Sequence, residues 1–326
     1  MIVLFVQTVY LNIKVTRLYP FLKTKSTEKL PKEEYNLILK NVKAMVFHKL
    51  GDFSINGTDN LIISAFLSVS VVGLYSNYAM IISSINAFIV LFFESITASM
   101  GNLIATSSDR KKLEVFNITN FISFWIYGFA TICFYNLLNP TIEIWLGNKY
   151  LIAQEIILVV LFNYYLTGMR VPVTTVKSAA GIYDVDKFTP LTQAVINLVV
   201  SILLVQKFGL IGVFIGTLIS SLVLPCWQRP YILYKYVFKT SSRPYFLEYI
   251  KYLSVIFGII LVTSWIINTF FLETTIMNYI ARIIVCLLVP NLIIIICFYR
   301  SSVFREVIQI LKSVLKGKSR WIKKSV

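Results

Sequence analysis

The chain reads as an all-α polytopic membrane protein, with about eight full transmembrane helices preceded by a partial one. Three observations lead there. Hydrophobic residues make up 57% of the 326 residues and charged residues only 14%, and mean hydropathy is +0.75, well outside the range of soluble domains. The apolar residues come in blocks long enough to cross a hydrocarbon core of about 30 Å. Lys and Arg gather in alternate loops between those blocks, the pattern that sets orientation in a membrane.

The first thirteen residues, MIVLFVQTVYLNI, lack the basic start and small-residue cleavage site of a signal peptide. As a helix they rise about 20 Å, too short to span, so 1–13 reads as the remnant of a transmembrane helix. A polar cytoplasmic loop follows over 14–41, with Pro20 and Pro31 as breakers. The first full span is expected at 42–71. A turn at 72–75 leads to a second span reaching about 104, which carries Asn86 and Glu94. After the charged loop 105–114 comes a third span, 115–138, and then the loop 139–154. The fourth span, 155–180, carries Asn163, Thr167, Arg170, Thr174 and Lys177 at helical spacing, with Pro172 expected to kink it. The loop 181–190 precedes a fifth span, 191–205, and a tight turn at 207–209 opens a sixth that ends near 237.

In the sixth span Gly212, Gly216 and Ser220 recur every four residues. This small-xxx-small pattern lets two membrane helices approach closely, and it is a packing signal rather than chemistry. A basic loop at 238–244 separates the seventh span, 245–271, from which a short turn leads to the eighth, 276–299. The remainder, 300–326, is a basic cytoplasmic tail whose apolar residues among Lys and Arg suggest a helix on the membrane surface.

Orientation follows from the basic residues. Of the 31 Lys and Arg, Lys149 and Lys207 fall in loops on one side, and Lys49, Arg170 and Arg282 lie inside spans. All the others, Arg229 among them, flank the opposite side, which makes that side, and the C-terminus, cytoplasmic. The net charge of +16 therefore describes orientation in the cell membrane, not a nucleic-acid partner. Cys133, Cys226, Cys286 and Cys297 lie in or beside apolar spans without CxxC or Cys/His spacing, so neither a metal site, a disulfide framework nor a cofactor is expected.

Function should lie where polar groups enter the apolar spans, because ionisable side chains at membrane depth are costly and face a protein interior or a hydrated cavity. The first span brings Lys49, Asp52, Asn56 and Asp59 to one helical face, and the fourth brings Asn163, Arg170 and Lys177. These seven are candidate residues of a substrate pathway. Arg170 leads as an anion contact, and the competing reading is a permanent ion pair with Asp52, Asp59 or Glu94. His48, the only histidine, is a candidate for proton coupling or a hydrogen-bonded residue at a helix end. Asp59 and Glu94 are alternative coupling sites. Arg282, early in the eighth span, is expected to snorkel towards water.

The run FHKLGDFSINGTDNLIISAF, followed by VVGLYSNY, resembles the first helix of the C-terminal lobe in bacterial polysaccharide repeat-unit flippases. These are members of the multidrug/oligosaccharidyl-lipid/polysaccharide exporter superfamily. The likeness continues through KSAAGIYDVDKFTPL and FGLIGVFIGTLISS to about residue 300. It implies a six-helix C-lobe over 42–237 and two additional helices over 238–299, in a two-lobed exporter working by alternating access. It also implies the flipping of lipid-linked oligosaccharide, with an undecaprenyl-pyrophosphate carrier, across the cytoplasmic membrane for capsule, O-antigen or other surface polysaccharide. Such a chain would need an N-terminal lobe, absent from this sequence, and would meet membrane lipid and polysaccharide-assembly proteins. Two alternatives stay open: an ion-coupled drug exporter of the same superfamily, and a membrane glycosyltransferase or polymerase. The latter needs acid/base or metal-binding residues in a substantial exterior loop, and 139–154 offers only Glu143, with Glu155 just after it; a non-enzymatic role is therefore expected.

Overall fold

The computed structural model describes residues 2–23, 31–271, 273 and 275–315. The chain divides into two compact units, Met1–Lys43 and Ala44–Val326. In the first, α1 (Ile2–Leu18) is followed by a 3-10 turn at Pro20–Lys23 and by the opening of α2 (Lys32–Phe66). The hydroxyls of Thr8 and Thr16 bond back to the carbonyls of Leu4 and Asn12. The partial helix expected over 1–13 thus runs on to Leu18, since nothing interrupts it before Pro20. The loop expected over 14–41 is likewise helical from Lys32, where Glu33 and Glu34 place negative charge in the first turn of α2.

The second unit continues with α3 (Val69–Thr106), α4 (Asp109–Leu146), α5 (Gln154–Met169), α6 (Val171–Ala179) and α7 (Thr189–Phe208). Next come α8 (Leu210–Val223) and α9 (Pro225–Leu233), which runs into a π turn at Tyr234–Phe238. The last helices are α10 (Arg243–Phe270), α11 (Ile276–Phe298) and α12 (Ser302–Leu315). No strand occurs among the described residues. Among the described residues, seven helical segments are long and apolar enough to cross a membrane: α3, α4, α5 with α6, α7, α8 with α9 and the π turn, α10 and α11. This is the build of a multi-pass membrane protein. The helix expected to supply the first full span, α2, has the length, 35 residues, but its Lys, Asp and Asn residues leave it less apolar than those seven.

At the centre stands α4, packed against α3, α5, α6, α10, α11 and α12. Its Phe121, Phe124 and Tyr127 join Tyr252 of α10 and Phe298 of α11 in one buried cluster. Phe124 stacks on Tyr252 with ring centroids 4.2 Å apart. The tail helix expected on the membrane surface is docked here instead: Phe304 of α12 stacks on Trp125 at 5.7 Å, and Val307 is buried in the same cluster. Residues 316–326 of the expected tail lie outside the described residues.

The breaks between helices decide where polar groups end up. Ser68 accepts a hydrogen bond from the Val71 N–H at 3.2 Å and so caps α3. The turn therefore falls at 67–68 rather than at 72–75. The fourth expected span breaks at Arg170, between α5 and α6, where Pro172 in the first turn of α6 removes a helical N–H. A second break, not expected from the sequence, lies at Leu224 before Pro225. Between α7 and α8, Gly209 turns the chain with φ +62°. A Cβ on Gly212 would lie 2.4 Å from the Leu204 carbonyl oxygen, and one on Gly216 2.1 Å from Ser201 Oγ. These two helices meet backbone to backbone, and Ser220, also buried, donates to the Thr217 carbonyl at 2.9 Å.

Candidate functional site

The break at Arg170 opens onto a cleft of about 430 Å³. It is lined by Asp52 and Ile55 of α2 and by Glu94 and Thr97 of α3, a helix that packs against α6. Arg170, at the α5–α6 break, and Arg229 of α9 line it as well. Hydroxyl and amide groups of Thr174, Gln193, Thr217 and Ser221 fill the space between the charges. The cleft therefore offers two guanidiniums, two carboxylates and a polar lining within an otherwise apolar bundle.

Arg170 is buried. Its Nη2 donates to Thr167 Oγ1 at 3.0 Å and its Nη1 to the Cys226 sulfur at 3.1 Å. Both partners are neutral side chains, and among the described residues none of Asp52, Asp59 and Glu94 pairs with it. The permanent ion pair considered from sequence is thus replaced by a hydroxyl and a sulfur. Arg229 Nε is buried without a hydrogen-bond partner among the described residues, and it lies within electrostatic reach of Arg170, Asp52 and Asp186. A guanidinium presents a rigid fork of donors suited to phosphate or carboxylate. Two of them line one cleft, and among the described residues neither forms an ion pair with an acid.

Lys177 stands elsewhere. It is buried and paired with Asp186, whose side chain is also fully buried. His48 Nε2 approaches the other carboxylate oxygen at 3.3 Å and the Tyr183 carbonyl oxygen at 3.2 Å. Burial alone would raise the Asp186 carboxyl, but His48 and Lys177 together outweigh it and hold the group below the usual carboxylate range. Lys177, expected to face a substrate, instead neutralises a buried acid, because the 181–188 loop folds Asp186 back onto α6.

The polar face expected on α2 is divided. Asp52 lines the cleft, whereas Lys49 is exposed and is not part of the lining. The side chain of Asn56 lies outside the described residues. Asp59 accepts from Thr217 Oγ1 at 3.0 and 3.2 Å, Thr217 in turn accepts from Asn197 at 2.9 Å, and Thr58 donates to Asn197 at 3.1 Å. This network ties α2 to α7 and α8. Asn163 is also a tie, donating to the Phe214 carbonyl at 2.9 Å, and is not among the lining residues of the cleft. Glu94, in mid-α3, does line it. Arg282 reaches back towards the α10–α11 turn, where it is buried and donates to the Phe271 carbonyl at the C-terminus of α10.

No family model, curated protein or solved structure matches this chain.

Arg229 and Asp186 were missed from sequence. Arg229 was counted as a basic loop flank, yet Pro225 and Pro230 on either side of it signalled an irregular helix whose residues need not follow the loop pattern. Asp186 sits in a short loop, and nothing in its local sequence reveals that Lys177 and His48 converge on it.

Proposed function

We infer that this chain works as a translocator of anionic, lipid-linked oligosaccharides across the cytoplasmic membrane, as its resemblance to the C-terminal lobe of polysaccharide repeat-unit flippases implies. The observation that carries the reading is Arg170 and Arg229 lining one cleft, Arg170 held by neutral partners and Arg229 Nε with none among the described residues. A pyrophosphate-linked sugar needs cations for the phosphates and hydroxyl or amide groups for the sugar, and the lining offers both. In this reading α2 is the eighth crossing, its lower apolarity reflecting Asp52 turned to the cleft and Asp59 turned to α8. Ranges 42–237 and 238–299 are then the lobe and its two additional helices, and the basic flanks, with the C-terminus, face the cytoplasm.

A second reading, an ion-coupled exporter of cationic small molecules, draws on Asp52 and Glu94 across the same cleft. One experiment separates the two. The purified chain in lipid nanodiscs is titrated with undecaprenyl diphosphate and, separately, with a lipophilic cation. Binding of the diphosphate, weakened at least about tenfold in an Arg170→Ala/Arg229→Ala variant, is the expected result. Binding of the cation alone, lost in Glu94→Gln, would replace the first reading with the second.

A further inference from the structure

The residues that join α2 to the 181–188 loop form one patch. Phe47 packs on Phe188 with ring centroids 5.5 Å apart, and the His48 ring meets Tyr183 edge to face at 6.1 Å. Gly51 lies so close to the start of α7 that a Cβ there would stand 2.4 Å from Pro190 Cβ. Asp52 and Ile55, which line the cleft, follow His48 by four and seven residues, on the same side of the helix. Whatever fixes His48 against the loop therefore fixes the α2 wall of the cleft.

We propose that His48 and Asp186 form a proton-sensitive latch that holds the α2 wall of the cleft against the 181–188 loop. The proposal rests on the transport reading, in which that cleft is the substrate path, and supplies its regulation. His48 Nε2 hydrogen-bonds the Tyr183 carbonyl at 3.2 Å and stands 3.3 Å from Asp186 Oδ1, a buried oxygen with no hydrogen-bond partner among the described residues. In the neutral ring the single proton at Nε2 serves the Tyr183 carbonyl, and the carboxylate feels no net charge. A second proton, taken from water onto Nδ1, makes the ring cationic, which charge-assists the hydrogen bond to the Tyr183 carbonyl and adds ionic attraction to the Asp186 carboxylate. Acid tightens the latch and a rise in pH slackens it, so the α2 side of the cleft is held at low pH and freed at higher pH.

The other charged groups around His48 are Lys49 and Asp52 on its own helix, Lys177 on α6, the Asp184–Lys187 pair in the loop and Arg229 on α9. Histidine ordinarily titrates between about pH 5 and 8. Because the chain has one histidine, a single substitution removes the imidazole's part of the response.

Hydrogen–deuterium exchange of the full chain in lipid nanodiscs tests this, at about pH 5.5 and about pH 8, with rates corrected for the intrinsic effect of pH on amide exchange. Peptides covering 44–56 of α2 are expected to exchange several-fold more slowly at the acidic pH in the wild type. His48→Gln, which keeps a donor of similar reach but takes no proton, is expected to exchange alike at both. An acid slowing that persists in His48→Gln, or none in the wild type, overturns the latch. Asp186→Asn gives a second reading with the carboxylate charge removed, and is likewise expected to lose the acid slowing. The exchange difference needs no substrate, so failure of the chain to bind undecaprenyl diphosphate would sink the transport reading and leave the latch standing.

Discussion

Arg170 Nη1 donates to the sulfur of Cys226 across 3.1 Å, in a place where a buried guanidinium would ordinarily meet a carboxylate. The sulfur accepts one hydrogen bond and cancels no charge. In the proposed reading that positive charge is left for an anion entering the cleft, which would offset the cost of burying it.

This gives a direct prediction. Cys226→Asp supplies the missing carboxylate within reach of Arg170, so affinity for undecaprenyl diphosphate should fall at least about tenfold, while Cys226→Ala should leave it little changed. Native mass spectrometry or a fluorescence titration reads the difference. Undiminished binding by Cys226→Asp would show that Arg170 does not hold the phosphates.

The Lys177–Asp186 pair predicts a cost and a pH dependence. Lys177→Met leaves a buried carboxylate without its cation and should lower stability by about 3–5 kcal/mol, whereas Lys177→Met/Asp186→Leu should recover most of that loss. The Asp186 carboxyl is held below its ordinary value in the folded chain. Its contribution is then fully present above the unfolded carboxylate range, about pH 4, and fades as pH falls further through the depressed folded value. Thermal melts from neutral to acidic pH in detergent should show that loss in the wild type and not in the double variant.

Helix packing gives a third prediction. A Cβ on Gly216 would lie 2.1 Å from Ser201 Oγ and 2.7 Å from the Ser201 backbone nitrogen, and the backbone cannot move aside as a side chain can. Gly216→Ala should therefore destabilise by about 1–3 kcal/mol. Gly258→Ala in α10, where a Cβ meets nothing within 4 Å, should be neutral or stabilise by up to about 1 kcal/mol. Melting temperatures of the two variants, compared side by side, check the contrast.

The apolar segments were legible in the sequence because length and hydropathy alone decide whether a helix can cross a membrane. Even the break at Arg170 could be read, from Pro172. What escaped was the destination of polar groups. Lys177 and Arg170 sit on one stripe of the sequence, yet one meets Asp186 and the other faces a cleft. That difference depends on a loop folding back over α6, a long-range event that no local pattern encodes. Arg229 escaped for another reason: counting basic residues assigns each to a loop, and a cation inside a broken helix looks the same to that rule. The tail helix was placed on the membrane surface from its amphipathic pattern, but Phe304 found Trp125, and such a pattern does not say which apolar surface will cover it.

Backbone-to-backbone contact at Gly212 and Gly216 leaves α7 and α8 no room to slide, so that hairpin behaves as a strut. Flexing in the lobe is then left to the two joints, Arg170 and Leu224, where the helices are already interrupted. One of those joints is itself the charged residue. A change of angle between α5 and α6 re-aims the guanidinium in the same stroke, and bending the helix and presenting or withdrawing the charge become a single movement.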